Sequence, residues 1–280
     1  MKSNNSYMLF LLLLFNCIFY AQRPLPIKEF GKFNNANSFA VSPNGLFYVS
    51  DIGNNEVAQL DSNGKIRKTV GGYGWDSYSF DEPSDIFATS LNVYIADKNN
   101  DRIQIYDKDL NYISSFITKN RSSESYLFRY PTSVAHFSQG DFFVLDSDNT
   151  RILKFNSKGE FQTEIGSYGT SSYTLTNPKK FTINTEGKIF VIEAKSLIVF
   201  DLFGNFISKT DFDFELININ SVFNSICITS KNKVIVNTKK GNFQFDVIEI
   251  PDIEISDALI FNKKLFVLSP KRISVFHFND

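Results

Sequence analysis

From residue 27 onward the chain is a succession of short apolar runs separated by polar turns. The clearest unit is Val93-Tyr94-Ile95-Ala96-Asp97, then Lys98-Asn99-Asn100-Asp101, then Arg102-Ile103-Gln104-Ile105-Tyr106. β-Branched and aromatic residues suit a pleated, half-buried surface. Alternation in Ile103-Gln104-Ile105 puts both isoleucines on one face of a strand. The unit predicts a hairpin with an Asx-rich turn. It recurs at Phe47-Tyr48-Val49-Ser50-Asp51, Phe143-Val144-Leu145-Asp146 and Phe190-Val191-Ile192-Glu193. Weaker copies are Val234-Ile235-Val236-Asn237 and Leu265-Phe266-Val267-Leu268. The marker at the end of each run falls at 51, 97, 146, 193, 237 and about 269. A period of this size means a repeat architecture.

Within the first repeat the pattern predicts four antiparallel strands, near 39–41, 46–50, 57–60 and 66–70, joined by Ser42-Pro43-Asn44-Gly45 and Asp61-Ser62-Asn63-Gly64 turns. An apolar residue and then a proline precede later first strands: Phe80 and Pro83, Phe128 and Pro131, Leu175 and Pro178, with Phe33 and Ala36 the equivalent in the first repeat. Proline there fixes φ without removing a ladder hydrogen bond. The last repeat offers three strands before the chain stops, whereas residues 27–30 form an orphan strand followed by Gly31. Open first and last blades would leave unpaired edges. The orphan is therefore expected to complete the last blade beside Val275 and Phe276.

These residues resemble the NHL repeat family, whose unit runs roughly Pro, apolar strand, Tyr-Val-Ala-Asp, Asn, Arg-Ile, apolar strand, Gly. The resemblance extends over most of residues 27–278 and is carried best by the first three repeats. It implies a six-bladed β-propeller. The six markers agree independently. The expected fold is thus all-β, with four-stranded antiparallel blades and the last blade closed by the N-terminal strand.

The recurring Asp51, Asp97 and Asp146, with Arg102 and Arg151, read as structural turn residues, because they repeat from blade to blade. A carboxylate there accepts backbone N–H groups, and Asn54, Asn100 and Asn149 are expected in the left-handed conformation. Residues 1–21 read as an export signal, with Lys2 before an apolar stretch and cleavage after Ala21. A rival start is a lipid-anchored Cys17. Residues 22–280 then form a single domain without a transmembrane span. With cleavage only Cys227 remains, and it reads as a buried small hydrophobe. Net charge is −1, which argues against a nucleic-acid surface.

His136 and His277 lie in different repeats, and neither has a second ligand at metal spacing. Alternating strand direction puts the loop between strands two and three on the same face as the linker between blades. That face gathers Tyr73, Trp75, Tyr78, Asn99, Arg121, Tyr126, Tyr130, Tyr168 and Tyr173. Aromatic residues and Arg are enriched where proteins bind partners. The expected function is an exported, non-enzymatic propeller that binds a protein, peptide or glycan of the cell envelope through this face, without a cofactor. The alternative is a calcium-dependent hydrolase or lyase of the lactonase-like type, which would recruit Glu193, Asp85 and Asn224.

Overall fold

The computed structural model describes residues 25–118, 126–137, 140–169, 173–237 and 244–278. Residues 1–24, with Cys17, and Arg121 lie outside the described residues. Six four-stranded antiparallel sheets follow one another along the chain. Blade one is β2 (Ala36–Val41), β3 (Phe47–Asp51), β4 (Glu56–Leu60) and β5 (Ile66–Gly71). Blade two is β6 (Pro83–Ala88), β7 (Asn92–Asp97), β8 (Arg102–Asp107) and β9 (Tyr112–Phe116). Blade three is β10 (Pro131–His136), β11 (Phe142–Asp146), β12 (Arg151–Phe155) and β13 (Phe161–Ile165). Blade four is β14 (Pro178–Ile183), β15 (Ile189–Glu193), β16 (Ser196–Phe200) and β17 (Phe206–Asp211). Blade five is β18 (Asn218–Val222), β19 (Ser225–Thr229), β20 (Lys233–Asn237) and β21 (Asp246–Glu249). Blade six takes β22 (Asp257–Phe261), β23 (Lys264–Leu268) and β24 (Ile273–His277), and its fourth strand is β1 (Lys28–Phe30). Among the described residues no helix is long and apolar enough to cross a membrane.

The closure expected from the orphan strand is present. Lys28 faces Val275, Glu29 faces Ser274 and Phe30 faces Ile273. Ile27 adds a bond from its N–H to the Val275 carbonyl at 2.8 Å. Lys28 also donates to the Asn63 carbonyl of blade one. Gly64 in the same turn sits at φ +78, and a Cβ there would lie 2.2 Å from the Phe30 ring carbon. Glycine is needed at that turn for both its backbone angle and this close approach.

The core lies between blades. Phe47 and Val49 face a cluster with Leu259 and Phe266 of blade six, whereas Tyr48 between them faces Ile86 and Val93 of blade two. Successive side chains of a strand point to opposite faces. A middle strand covered on both faces is then apolar at most positions, which is why the marker runs read as near-continuous hydrophobic stretches. Ile103 and Ile105 do share a face, toward blade three. Cys227 is buried in the junction of blades five and six, and burial pushes its thiol well above the ordinary range.

The fifth repeat corrects the sequence reading. Asn237 ends the third strand of blade five, and the marker position is Thr229, which faces Asn218 as Asp51 faces Ala36. The first strands of blades one to four each carry a register shift after their first residue. In blades five and six the register runs without one. The proline is missing there, the acid is replaced by Thr229 or Leu268, and the linker apolar residues Leu216 and Ile255 stand one position nearer their strands. Length and chemistry of the pattern shift together in this repeat, so the apolar run of its third strand carries the signature of the marker.

Candidate functional site

Asp51, Asp97, Asp146 and Glu193 end the second strands of blades one to four, and each holds the linker that enters its own blade. Asp51 accepts the N–H groups of Asn34 and Asn35, both at 2.7 Å. Asp97 accepts from the Asp81 N–H at 2.8 Å, Asp146 from Arg129 at 3.0 Å, and Glu193 from Thr176 and Asn177. Asn54, Asn100 and Asn149 are not the left-handed residues. They donate their side-chain amides to these carboxylates at 3.1, 2.9 and 2.9 Å. Positive φ falls one residue later, at Asn55, Asp101 and Thr150. Two of these reach the following blade's linker: Asn55 accepts the Glu82 N–H and Asp101 the Tyr130 N–H, both at 2.8 Å. The motif is thus a clamp between blades.

The clamp is most elaborate at blade two. Arg102 Nε donates to Asp97 at 2.7 Å, and the two side chains are 4% and 0% exposed. Burial pushes the Asp97 carboxyl up, against the pull of its hydrogen bonds and of Arg102. The rest of the guanidinium donates to the carbonyls of Trp75, Asp76 and Ser79. Asn100 donates to the Gly74 carbonyl, Gln104 to that of Ser79 and Tyr106 to that of Ser77. Backbone carbonyls of an irregular loop need partners once they are partly buried. Alternate residues of the turn and β8 supply them, and so fix the 73–80 linker. In the sequence Gln104 and Tyr106 read only as positions of an alternating strand. The signal that could have found them is their period-two spacing behind Asn100 and Arg102.

Of the nine residues expected on the linker face, several stand out of the core. Tyr73 is 79% exposed, Trp75 55% and Tyr168 93%. The Trp75 ring lies over the Arg102 guanidinium, 5.1 Å from its centroid. Tyr130 is also exposed. Asn99 donates to Asp81 across the clamp. Tyr78 packs edgewise on Tyr106 and receives the Tyr112 N–H, Tyr126 stacks on Phe161, and Tyr173 stacks on Phe206. These three rings serve packing as much as surface. Arg151 pairs with Asp146 and Glu164.

The axis is lined by polar side chains that sequence reading did not assemble. Lys180 of blade four reaches the Ser84 carbonyl at 2.6 Å and Asp85 at 3.0 Å in blade two. Asp85 also accepts from Ser38 and Ser133. Asp257 accepts from the N–H groups of Phe39 and Ala258 and from the Asn220 amide. Complete burial pushes Asp257 up to about 7, with Asp85 adding to the rise and Lys180 opposing it. The calcium set does not assemble. Asp85 faces the axis, Glu193 holds a linker on one face, and Asn224 accepts from Thr185 at a turn on the other. Among the described residues no three His, Cys, Asp or Glu side chains gather as a metal site would need.

Asp257 predicts a pH dependence of stability. It keeps its proton up to about pH 7 in the folded chain, against an ordinary value of 3.8. Between those values the folded state binds more protons than the unfolded state. Stability therefore falls as pH rises through this window, by about 1.4 kcal/mol per unit at most from this group, and levels off above it. His136, whose pKa is lowered by burial, acts in the opposite sense below its ordinary range. Urea melts of the wild type and Asp257→Asn between pH 5 and 8 isolate the aspartate, and parallel curves would remove it from the account.

Blade count, ring closure and the recurring clamp together define a six-bladed β-propeller with NHL-like repeats. Residues 89–263 match the family described as 6-bladed beta-propeller, DUF5128, and the chain belongs to it. It is similar to protein brain tumor of Drosophila melanogaster, 31% identical over 144 residues. It is also similar to the B-box type zinc finger protein ncl-1 of Caenorhabditis elegans, 28% identical over 143 residues. Each match covers 50% of this chain but only 13% and 16% of those proteins, so the chain spans a small part of the length of the curated relatives it matches. Among solved structures, a streptogramin B lyase superposes with a TM-score of 0.60 at 14% identity, covering 90% of this chain and 87% of that one. A chain of the nidogen/laminin complex gives 0.59 at 13% identity, covering 72% and 76%. At these identities the likeness is one of fold.

Proposed function

We propose that this propeller is exported and binds a protein, peptide or glycan of the cell envelope through its linker face, without catalysing a reaction. The observation that carries the reading is the rigid display of Tyr73 and Trp75. Their loop is held by donors from Asn100, Arg102, Gln104 and Tyr106, while the rings themselves face solvent. An aromatic ring that is fixed before binding loses little entropy on contact, and Trp and Tyr dominate binding energy at interfaces. Exposed aromatic rings of this kind also offer flat apolar faces on which a sugar ring can stack.

The test replaces Tyr73, Trp75 and Tyr168 together by Ala. The triple variant should melt within a few degrees of the wild type, since the three rings stand largely outside the core and the contact of Trp75 with the buried Arg102 guanidinium is worth about 1–2 kcal/mol. It should lose the envelope component that immobilised wild type retains, or the glycan bound on an array. Equal retention by both proteins would remove this face from the function. Export is read separately, by N-terminal sequencing. The mature chain should begin at Gln22, and a start at acylated Cys17 would make it a lipoprotein.

A further inference from the structure

We infer that the channel mouth opposite the linker face is a second binding site, for a neutral, mainly apolar small molecule that carries an aromatic ring. First strands run from the linker face toward the opposite face, and their final residues and following turns enclose a cavity of about 290 Å³ there. That is close to the lower size of small-molecule sites, which are concave, mostly apolar and sparingly polar. Every blade contributes to the lining.

The chemistry of the lining selects the ligand. Phe87, Phe137, Phe223 and Phe261 supply aromatic walls, and the polar part of the lining includes Asn184 and Asn220, whose amides are in part engaged by Glu186, Lys188, Phe39 and Asp257. Of the lining residues only His136 ionises. It stacks on Tyr94 at 5.2 Å, and burial lowers its pKa, so the ring is neutral at pH 7. A charged ligand would lose its hydration here without gaining a counter-charge. Deeper in the axis, Lys180 and Asp85 already satisfy each other.

Phe223 is the second, independent observation. It opens the two-residue turn between β18 and β19 at φ +56, and it is 58% exposed. Such turns favour Gly, Asn or Asp, because a bulky L residue is disfavoured at positive φ. The turn is fixed to blade four by the Thr185 N–H on the Phe223 carbonyl. A strained, exposed ring held at the rim of a cavity adds little to the core. A ligand stacked against it accounts for its place.

Saturation-transfer NMR on the purified chain, with indole, phenol, benzoate and benzylamine as probes, tests the site. Indole and phenol should bind at millimolar concentration, and benzoate and benzylammonium at least tenfold more weakly. Phe223→Gly should weaken indole at least fivefold while the melting temperature holds or rises, because glycine suits that backbone angle. The Tyr73, Trp75 and Tyr168 triple variant should bind indole as the wild type does. No transfer from either neutral probe, equal binding of benzoate, an unchanged Phe223→Gly, or loss of indole in the triple variant would each overturn the inference.

Discussion

Deleting residues 25–31 should cost the propeller more stability than its short length suggests, about 3–5 kcal/mol. The segment contains the three-residue fourth strand of blade six. Its removal strips β24 of its partner and leaves a row of unpaired backbone groups at the ring's closing joint. It also removes Phe30, which packs on the junction of blades six and one with its ring 6.3 Å from that of Phe47. Truncating a buried phenylalanine alone costs about 3–5 kcal/mol, and less at a partly buried position. The ion pair of Glu29 with Arg272, exposed as it is, adds little. Thermal and urea melts of the truncated chain measure the loss. Hydrogen exchange locates it: the amides of β24 and of β2 should lose protection together, because closure couples the chain ends. An unchanged melting temperature, or exchange confined to β24, would show that the ring stays shut without its N-terminal strand.

Asp97→Ala should be nearly as damaging, at about 3–5 kcal/mol, the cost of breaking a buried ion pair by removing one partner. The guanidinium of Arg102 would remain buried without its counter-charge, and the Asp81 N–H and Asn100 amide would each lose an acceptor. Asp51→Ala provides the comparison. Its carboxylate holds two linker N–H groups and the Asn54 amide, but its third strand begins at Glu56 where blade two has Arg102. Its loss should cost about 1–3 kcal/mol, as for unsatisfied buried donors. Equal destabilisation by the two substitutions would mean that Arg102 does not deepen the clamp. Arg102→Met carries a functional consequence as well. It releases the carbonyls of Trp75, Asp76 and Ser79, so partner binding at the linker face should fall although no exposed ring is changed.

Much of this fold was legible because the repeat is strict where its physics is strict. The middle strands are covered on both faces, so Phe190-Val191-Ile192 could hardly be written otherwise. The closing strand was legible too, since three strands at one end and one at the other must meet. The clamp was half legible. Its acids and Arg102 were recognised as structural, but the asparagines were given the left-handed backbone that belongs to the next residue, while their amides feed the carboxylates. Blade five was misread because the acid, the proline and the extra residue in the first strand are absent together, and an apolar third strand looks like an apolar second strand.

By itself the sequence determined the number of blades, their antiparallel strands and the face on which the aromatic linkers gather, because each follows from local periodicity and strand direction. Tertiary structure alone decided which side chains meet. Lys180 and Asp85 stand two blades apart, and Ser38, Asp257 and Asn220 come from three different blades. Their first strands carry no common motif, since each axial position needs only to complement whatever the facing blades present. The cavity beyond them has the same origin: its walls are the ends of first strands from every blade, brought together by closure of the ring rather than by any stretch of chain.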